Sequence, residues 1–263
     1  MIRLLEEKDR TSVLAFLYKE AAYNIFPIGD IETFGFDTDF QRVYGEFDED
    51  GRYLSIFLRY RTSGIYYACK VRFNKEYLEI FKKDPFEIIS GKSELMDLIV
   101  PYLEGYEKHH TYFCEAKDMV DLSVPNVKIQ KMKTKEDAGL VYDLIGQVEE
   151  FSAFHQSKEE YVDAKMKSIK MGMTLFILDH GEVVSTVATT AETKGSAMVV
   201  AVATKVEARN KGYASALMKE LMHEYLVNKK KSLCLFYDNP SAGKIYHRLG
   251  FETIGTWDMY KRT

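Results

Sequence analysis

The sequence predicts a mixed α/β protein in two parts, and three observations carry that reading. Segments with apolar residues at helical spacing alternate with β-branched and aromatic runs along all 263 residues. Val124-Pro125-Asn126 interrupts regular structure between two such sets of elements. Val199 to Met222 reads as a strand, a polar turn holding Arg209, Gly212 and Ala214, and an amphipathic helix.

The first part, residues 1–122, opens with Ile2-Arg3-Leu4-Leu5 as a short strand. Arg10 to Tyr23 follows as a helix, with Val13, Leu14, Leu17 and Ala21 on one face. Asn24 to Asp30 contains Pro27 and Gly29 and reads as a loop. Arg42–Phe47 and Tyr53–Tyr60 form a hairpin about Asp48-Glu49-Asp50-Gly51. Ile65 to Phe73 is a third β-rich run, and Asn74 to Lys82 a short helix. Phe86 to Ser90 is a strand, Gly91-Lys92-Ser93 a plain turn, Glu94 to Leu103 a helix and Tyr112 to Ala116 a last strand.

The second part, residues 127–263, begins with a strand over Val127–Met132. Thr134 caps a helix, with Asp137 three residues on, and the helix runs to about Val148. Lys158–Lys170 is a second helix. Thr174–Leu178 and Val183–Thr190 form a hairpin about Asp179-His180-Gly181-Glu182. The strand Ala197–Ala203, the helix Tyr213–Asn228, the strand Ser232–Tyr237, a short helix Ser241–Leu249 and the strand Phe251–Tyr260 complete the order βααβββαβαβ.

Composition excludes several classes. Charged residues are 29% of the chain and hydrophobic ones 46%, as in ordinary globular proteins, and the net charge of −4 argues against bulk electrostatic binding to nucleic acid or membrane. The charge is uneven: residues 1–122 hold 16 Lys+Arg against 23 Asp+Glu, and residues 123–263 hold 20 against 17. The more basic part is the one with the Arg209–Ala214 turn. Cys69, Cys114 and Cys234 are too far apart for a disulfide framework or a zinc site, and His109-His110 lacks metal-ligand spacing. No N-terminal signal or membrane-length apolar run is visible, so the expected location is cytoplasmic.

A strand that enters a helix through a small-residue turn is suited to phosphate. The N–H groups of the first helical turn lack acceptors, and the helix dipole favours negative charge there. Gly212 and Ala214 keep the approach to the backbone open, and the N–H groups from about Asn210 to Ala214 can face one cradle. Arg209 and Lys211 can add charge.

Residues 127–260 resemble the GNAT superfamily of acyl-CoA-dependent N-acetyltransferases. Arg209-Asn210-Lys211-Gly212-Tyr213-Ala214 matches the family pattern Arg/Gln-x-x-Gly-x-Gly/Ala, at the usual distance after the strand Val199–Thr204. Asn239-Pro240-Ser241-Ala242, Tyr246 and Leu249-Gly250-Phe251 follow in family register. The resemblance implies acetyl-CoA as co-substrate, without a metal. It implies that the loop 209–215 holds the pyrophosphate, and that the backbone of Val202, Ala203 and Thr204 pairs with the pantetheine arm. It also implies that Asn239 and Ala242 lie along the arm, and that Tyr246 protonates the leaving thiolate. By the same resemblance, a backbone N–H within Val202, Ala203 and Thr204 would polarise the thioester carbonyl.

The first part looks like the accessory N-terminal part of two-domain members, a degenerate copy of the same fold. The implied reaction is direct attack of a primary amine, of a small molecule or a peptide, in a ternary complex. A general base is expected from Glu149, Glu150, His155 or Glu192, with Glu150 the candidate catalytic carboxylate. Phe151, Phe154 and Glu150 could receive a cationic amine. Cys234 reads as core. A homodimer is compatible with the sequence. The competing readings are a non-catalytic acyl-CoA-binding regulatory module, favoured less because Tyr246 is intact, and a tandem fold that takes amino acids from aminoacyl-tRNA. The well-formed loop and acidic total charge disfavour the latter.

Overall fold

The computed structural model describes residues 1–148 and 157–263. The first half contains β1 (Ile2–Leu4), α1 (Arg10–Leu17), α2 (Ile25–Phe34), β2 (Gln41–Phe47), β3 (Tyr53–Tyr60), β4 (Ser63–Ala68), α3 (Tyr77–Lys83), β5 (Ile88–Lys92), α4 (Ser93–Ile99) and β6 (Tyr106–Ala116). The second contains β7 (Ile129–Lys131), α5 (Lys135–Ile145), α6 (Lys158–Lys167), β8 (Thr174–Asp179), β9 (Glu182–Thr190), β10 (Ser196–Thr204), α7 (Tyr213–Met222), β11 (Ser232–Tyr237), α8 (Pro240–Arg248) and β12 (Glu252–Arg262). Both halves run βααβββαβαβ, so the first repeats the plan of the second.

Two compact units result. One comprises Met1–Phe113, Phe236–Asp238 and Thr253–Thr263; the other comprises Cys114–Leu235 and Asn239–Glu252. The last strand therefore belongs by its contacts with the first unit, although by sequence it ends the second half.

In the first unit the strands run β1-β2-β3-β4-β5-β12-β6. β12 pairs antiparallel with β5 from Trp257↔Lys92 to Lys261↔Ile88. Asp258, fully buried, holds β6 to β12 through His110 Nδ1 at 2.6 Å and Lys108 Nζ at 2.7 Å. That pairing explains why β6 begins at Tyr106 and not at Tyr112. Glu107-Lys108-His109-His110 has poor strand propensity, and partners on a neighbouring strand override it.

α2 occupies most of the predicted loop at Asn24–Asp30. Pro27 stands in its first turn, where its missing N–H has no intrahelical partner to lose, and Ile25, Ile28 and Ile31 are buried. β4 ends at Ala68 rather than Phe73. Gly91 and Lys92 lie within β5, not in a turn, and Lys92 bonds Glu20 at 2.6 Å.

In the second unit the order is β11-β10-β9-β8-β7. Thr134 and Asp137 form the predicted capping box of α5, and Ser157 and Glu160 form another on α6. α7 buries Ala216, Leu217, Met218, Leu221 and Met222, and each large apolar side chain contributes roughly 1.5–3 kcal/mol. A π-helical turn, His223–Asn228, extends it and buries Tyr225. None of the described helices is long and apolar enough to cross a membrane.

Candidate active site

β10 and β11 are parallel neighbours over three pairs only: Ser196↔Ser232, Ala197↔Leu233 and Met198↔Cys234. Beyond Met198 the register stops. On its other side β10 carries a bulge. Val200 faces Ala188 and Ala203 faces Thr186, so Ala201 and Val202 together stand opposite one residue of β9. Ala201 has φ 53°, a left-handed conformation that an alanine adopts only where the surroundings impose it. Ala203 O accepts from Ser185 Oγ at 3.1 Å, and Thr204 O accepts from Arg209 Nε at 3.3 Å. Val202 is the one of the three predicted backbone contacts that lies outside the β9 register.

The loop after β10 has two left-handed residues. Asn210 has φ 64° and Gly212, the N-cap of α7, has φ 79°. Left-handed residues set one apart turn successive N–H groups towards one side, the concave arrangement that receives anions. Arg209 N–H donates to Val206 O at 3.2 Å, and the next backbone donor among the described residues is Ala216, to Gly212 O at 3.0 Å. Among the described residues, the N–H groups of residues 210–215 thus lack a backbone acceptor. Arg209, Asn210 and Lys211 are exposed, Gly212, Tyr213 and Ala214 half-buried. Ser215 is buried, and its Oγ accepts from Arg248 Nη2 at 3.1 Å. Its hydroxyl therefore ties α7 to α8, while its N–H stays with the cradle. Arg248, which the sequence did not single out, stands beside this turn with no ion pair among the described residues.

Gly212 meets a second constraint beside the predicted one. A Cβ there would stand 2.9 Å from Pro125 Cδ and 3.2 Å from its Cγ. The side-chain position is taken by Pro125, and the left-handed φ excludes a branched residue independently.

On α8, Asn239 is the N-cap: its Oδ1 accepts from Ser241 N–H at 2.9 Å, with Pro240 at the first helical position. Its Nδ2 is not part of that cap. Ala242 is half-buried one turn later. Tyr246 is buried at 8% exposure, edge-on to Phe251 at 6.1 Å. Burial, and then Cys114, push its phenol up to about 12. Tyr246 is therefore protonated across the working pH range. Cys234 is fully buried, and burial pushes its thiol well above its ordinary range, consistent with a core residue.

Glu192 is not available as the predicted base. Its carboxylate bonds Lys231 at 2.7 Å, Lys229 at 2.9 Å and Tyr225 OH at 2.9 Å. Burial alone would raise its pKa, but the bonds from Lys231, Lys229 and Tyr225 outweigh this and hold it below the ordinary range. Such a depressed carboxyl stabilises the fold above about pH 4.5, and the contribution is lost as pH falls through the lower, folded-state value. Glu192→Gln is accordingly expected to cost ~1–2 kcal/mol at pH 7, a part-exposed ion cluster being worth less than a buried one. Its melting temperature should respond less to acidification than the wild type's, with turnover by the folded protein retained; lost turnover at full stability would restore Glu192 as the base. Glu149, Glu150, Phe151, Phe154, His155 and Gln156 lie outside the described residues.

The first unit keeps the strand geometry without the cradle. β4 and β5 are parallel over three pairs, Ser63↔Ile88 to Ile65↔Ser90, as β10 and β11 are. No described residue between β4 and α3 has a positive φ, and α3 begins on Glu76 in a right-handed conformation. Tyr66, Tyr77 and Met96 are fully buried there, and a Cβ on Gly91 would lie 2.7 Å from Tyr66 O. Side chains and close backbone approach fill the first unit where the second has a bulged strand and an N–H cradle.

Residues 149–254 match the family described as acetyltransferase (GNAT) domain. The C-terminal half of this chain carries a GNAT acetyltransferase domain. Whole-chain likeness of fold extends to several solved structures. A GCN5-related N-acetyltransferase from Sphaerobacter thermophilus aligns over 100% of this chain and 95% of its own, with 16% identity and a TM-score of 0.65. A tandem GNAT protein from the clavulanic acid biosynthesis pathway aligns over 99% and 97%, with 12% identity and a TM-score of 0.62. A GCN5-related N-acetyltransferase-like protein from Streptococcus suis aligns over 97% and 99%, with 17% identity and a TM-score of 0.58. At these identities the likeness is one of fold. No curated protein matches the sequence. The repeated element order of the two halves is in keeping with this whole-chain likeness of fold to a tandem protein.

Proposed function

We propose that the chain is an N-acetyltransferase that moves an acetyl group from acetyl-CoA to a primary amine by direct attack in a ternary complex. The observation that carries this is the loop of residues 210–215, whose N–H groups have no backbone acceptor among the described residues and whose left-handed residues are in place, directly after the bulged strand β10. In this reading Arg209, Lys211 and Arg248 supply charge around the pyrophosphate, and Val202 offers its backbone to the pantetheine arm or the thioester carbonyl. Asn239 Nδ2 reaches the arm while Oδ1 caps α8. The amine nitrogen bonds to the thioester carbon, the C–S bond breaks, and the proton lost by the amine goes to water or to a base on the chain. Holding the two reactants in line supplies most of the acceleration.

Tyr246 acts on the sulfur. A phenol at about 12 is a weaker acid than an ordinary thiol near ~8.5, so complete proton transfer to the thiolate is uphill. Its role is then a hydrogen bond to sulfur as negative charge develops, with the proton finally taken from solvent.

The test is a thermal-shift series with acetyl-CoA, CoA and longer acyl-CoAs, followed by thiol release on a panel of small and peptide amines. Stabilisation by CoA species and release of thiol with at least one amine class are expected. No shift with any CoA species sinks the proposal. A shift without turnover on any amine leaves an acyl-CoA sensor instead.

A further inference from the structure

The segment between β6 and β7 lies on the cofactor helix, and its contacts mark a pattern. Residues 118–126 form no regular element, and among the described residues no backbone hydrogen bond holds them to one another. Three anchors fix them within the second unit. Val120 Cγ2 stands 2.5 Å from where a Cβ on Gly250, at φ 94°, would lie. Leu122 O accepts from Lys219 Nζ at 2.6 Å. Pro125 packs on the open side of Gly212. Gly212 and Lys219 are seven residues apart and so lie on one face of α7. The segment therefore follows that face from Leu122 at Lys219 to Pro125 at the cradle.

We infer that Pro125 and Lys219 are positioning residues for the pyrophosphate cradle, and that the segment 118–126 is a strap whose docking holds Gly212 left-handed for cofactor binding. The inference rests on the acyl-CoA reading above and adds to it the part played by the connecting segment. A glycine N-cap has many conformations open to it, and it loses more freedom on ordering than any other residue. The Pro125 ring, itself rigid, occupies the position a Gly212 side chain would take and removes alternatives before the phosphate arrives. By linkage, a cofactor that binds only the ordered cradle must also favour the docked strap. Pro125 is exposed and the strap has few hydrogen bonds, which places its opening at the low end of the stability scale, where ligand binding can shift it.

The variants Pro125→Ala and Lys219→Met each remove one anchor. Lys219→Met keeps the apolar stem and a good helix former. Each is expected to raise the Kd for CoA and the KM for acetyl-CoA about fivefold, with kcat held within about twofold, since ordering and not transition-state contact is lost. Pro125→Val, which returns apolar atoms to Gly212, should recover most of the affinity. CoA should slow amide exchange in residues 118–126 of the wild type. A wild type that binds CoA while both variants bind it equally well overturns the inference alone, as does tighter binding by either, which would make the strap an obstruction. A wild type that does not bind CoA removes the acyl-CoA reading, and this inference with it. Melting temperatures of the variants separate loss of the strap contact from loss of the fold.

Discussion

Gly212→Val is expected to weaken CoA binding roughly 10- to 100-fold, the equivalent of ~1–3 kcal/mol of backbone strain, and to lower the melting temperature as well. Two independent costs meet at this residue. A β-branched side chain at φ 79° is a steric outlier, and its Cβ would lie 2.9 Å from Pro125. Relief of either moves the cradle: a right-handed turn re-aims the N–H groups, and displacement of Pro125 lifts the strap. Calorimetry with CoA and thermal melts of the free protein measure the two costs separately. Unchanged affinity in a folded variant would mean that the cradle at residues 210–215 is not the phosphate site. Pro125→Ala combined with Gly212→Ala should be less damaging than the sum of the two, because the clash then has no second partner.

Tyr246→Phe is expected to lower kcat about 100-fold, the range of one hydrogen bond or proton transfer made in the transition state. KM for acetyl-CoA should stay within about twofold, because the hydroxyl acts on sulfur only as charge develops there. The fold should tolerate the change, since the ring keeps its edge-on contact with Phe251. With the phenol at about 12, the wild-type rate should show no alkaline limb from Tyr246 below pH 10; ionisation there would require a phenol of ordinary acidity. Equal kcat in the variant would remove Tyr246 from the proposed chemistry, leaving backbone donors and proximity as its basis.

Local signals made the second half readable. The capping box at Thr134, the β-branched run of β10 and the amphipathic face of α7 each depend on residues close in sequence, and each element formed where expected. The first half was harder. Pro27 and Gly29 look like loop residues, yet α2 forms because its Ile25, Ile28 and Ile31 face enters a core and its proline falls in the first turn. Strand β6 starts among charged residues because Asp258, almost 150 positions away, binds Lys108 and His110. Glu192 looked like a free carboxylate until Lys229, Lys231 and Tyr225 converged on it from another element.

By itself the sequence determined the order of elements in the second half and the loop from Arg209 to Ser215. Both depend on backbone preferences of adjacent residues, and a glycine that must be left-handed is marked by being glycine. Tertiary structure alone decided which side of Gly212 is filled, which carboxylate is neutralised, that β12 pairs with β5, and that the first unit repeats the plan without a cradle. Those outcomes depend on contacts between residues distant in the chain. Such contacts leave no local pattern, because a hydrogen-bond donor or a proline ring is chemically the same whether its partner is four residues away or a hundred.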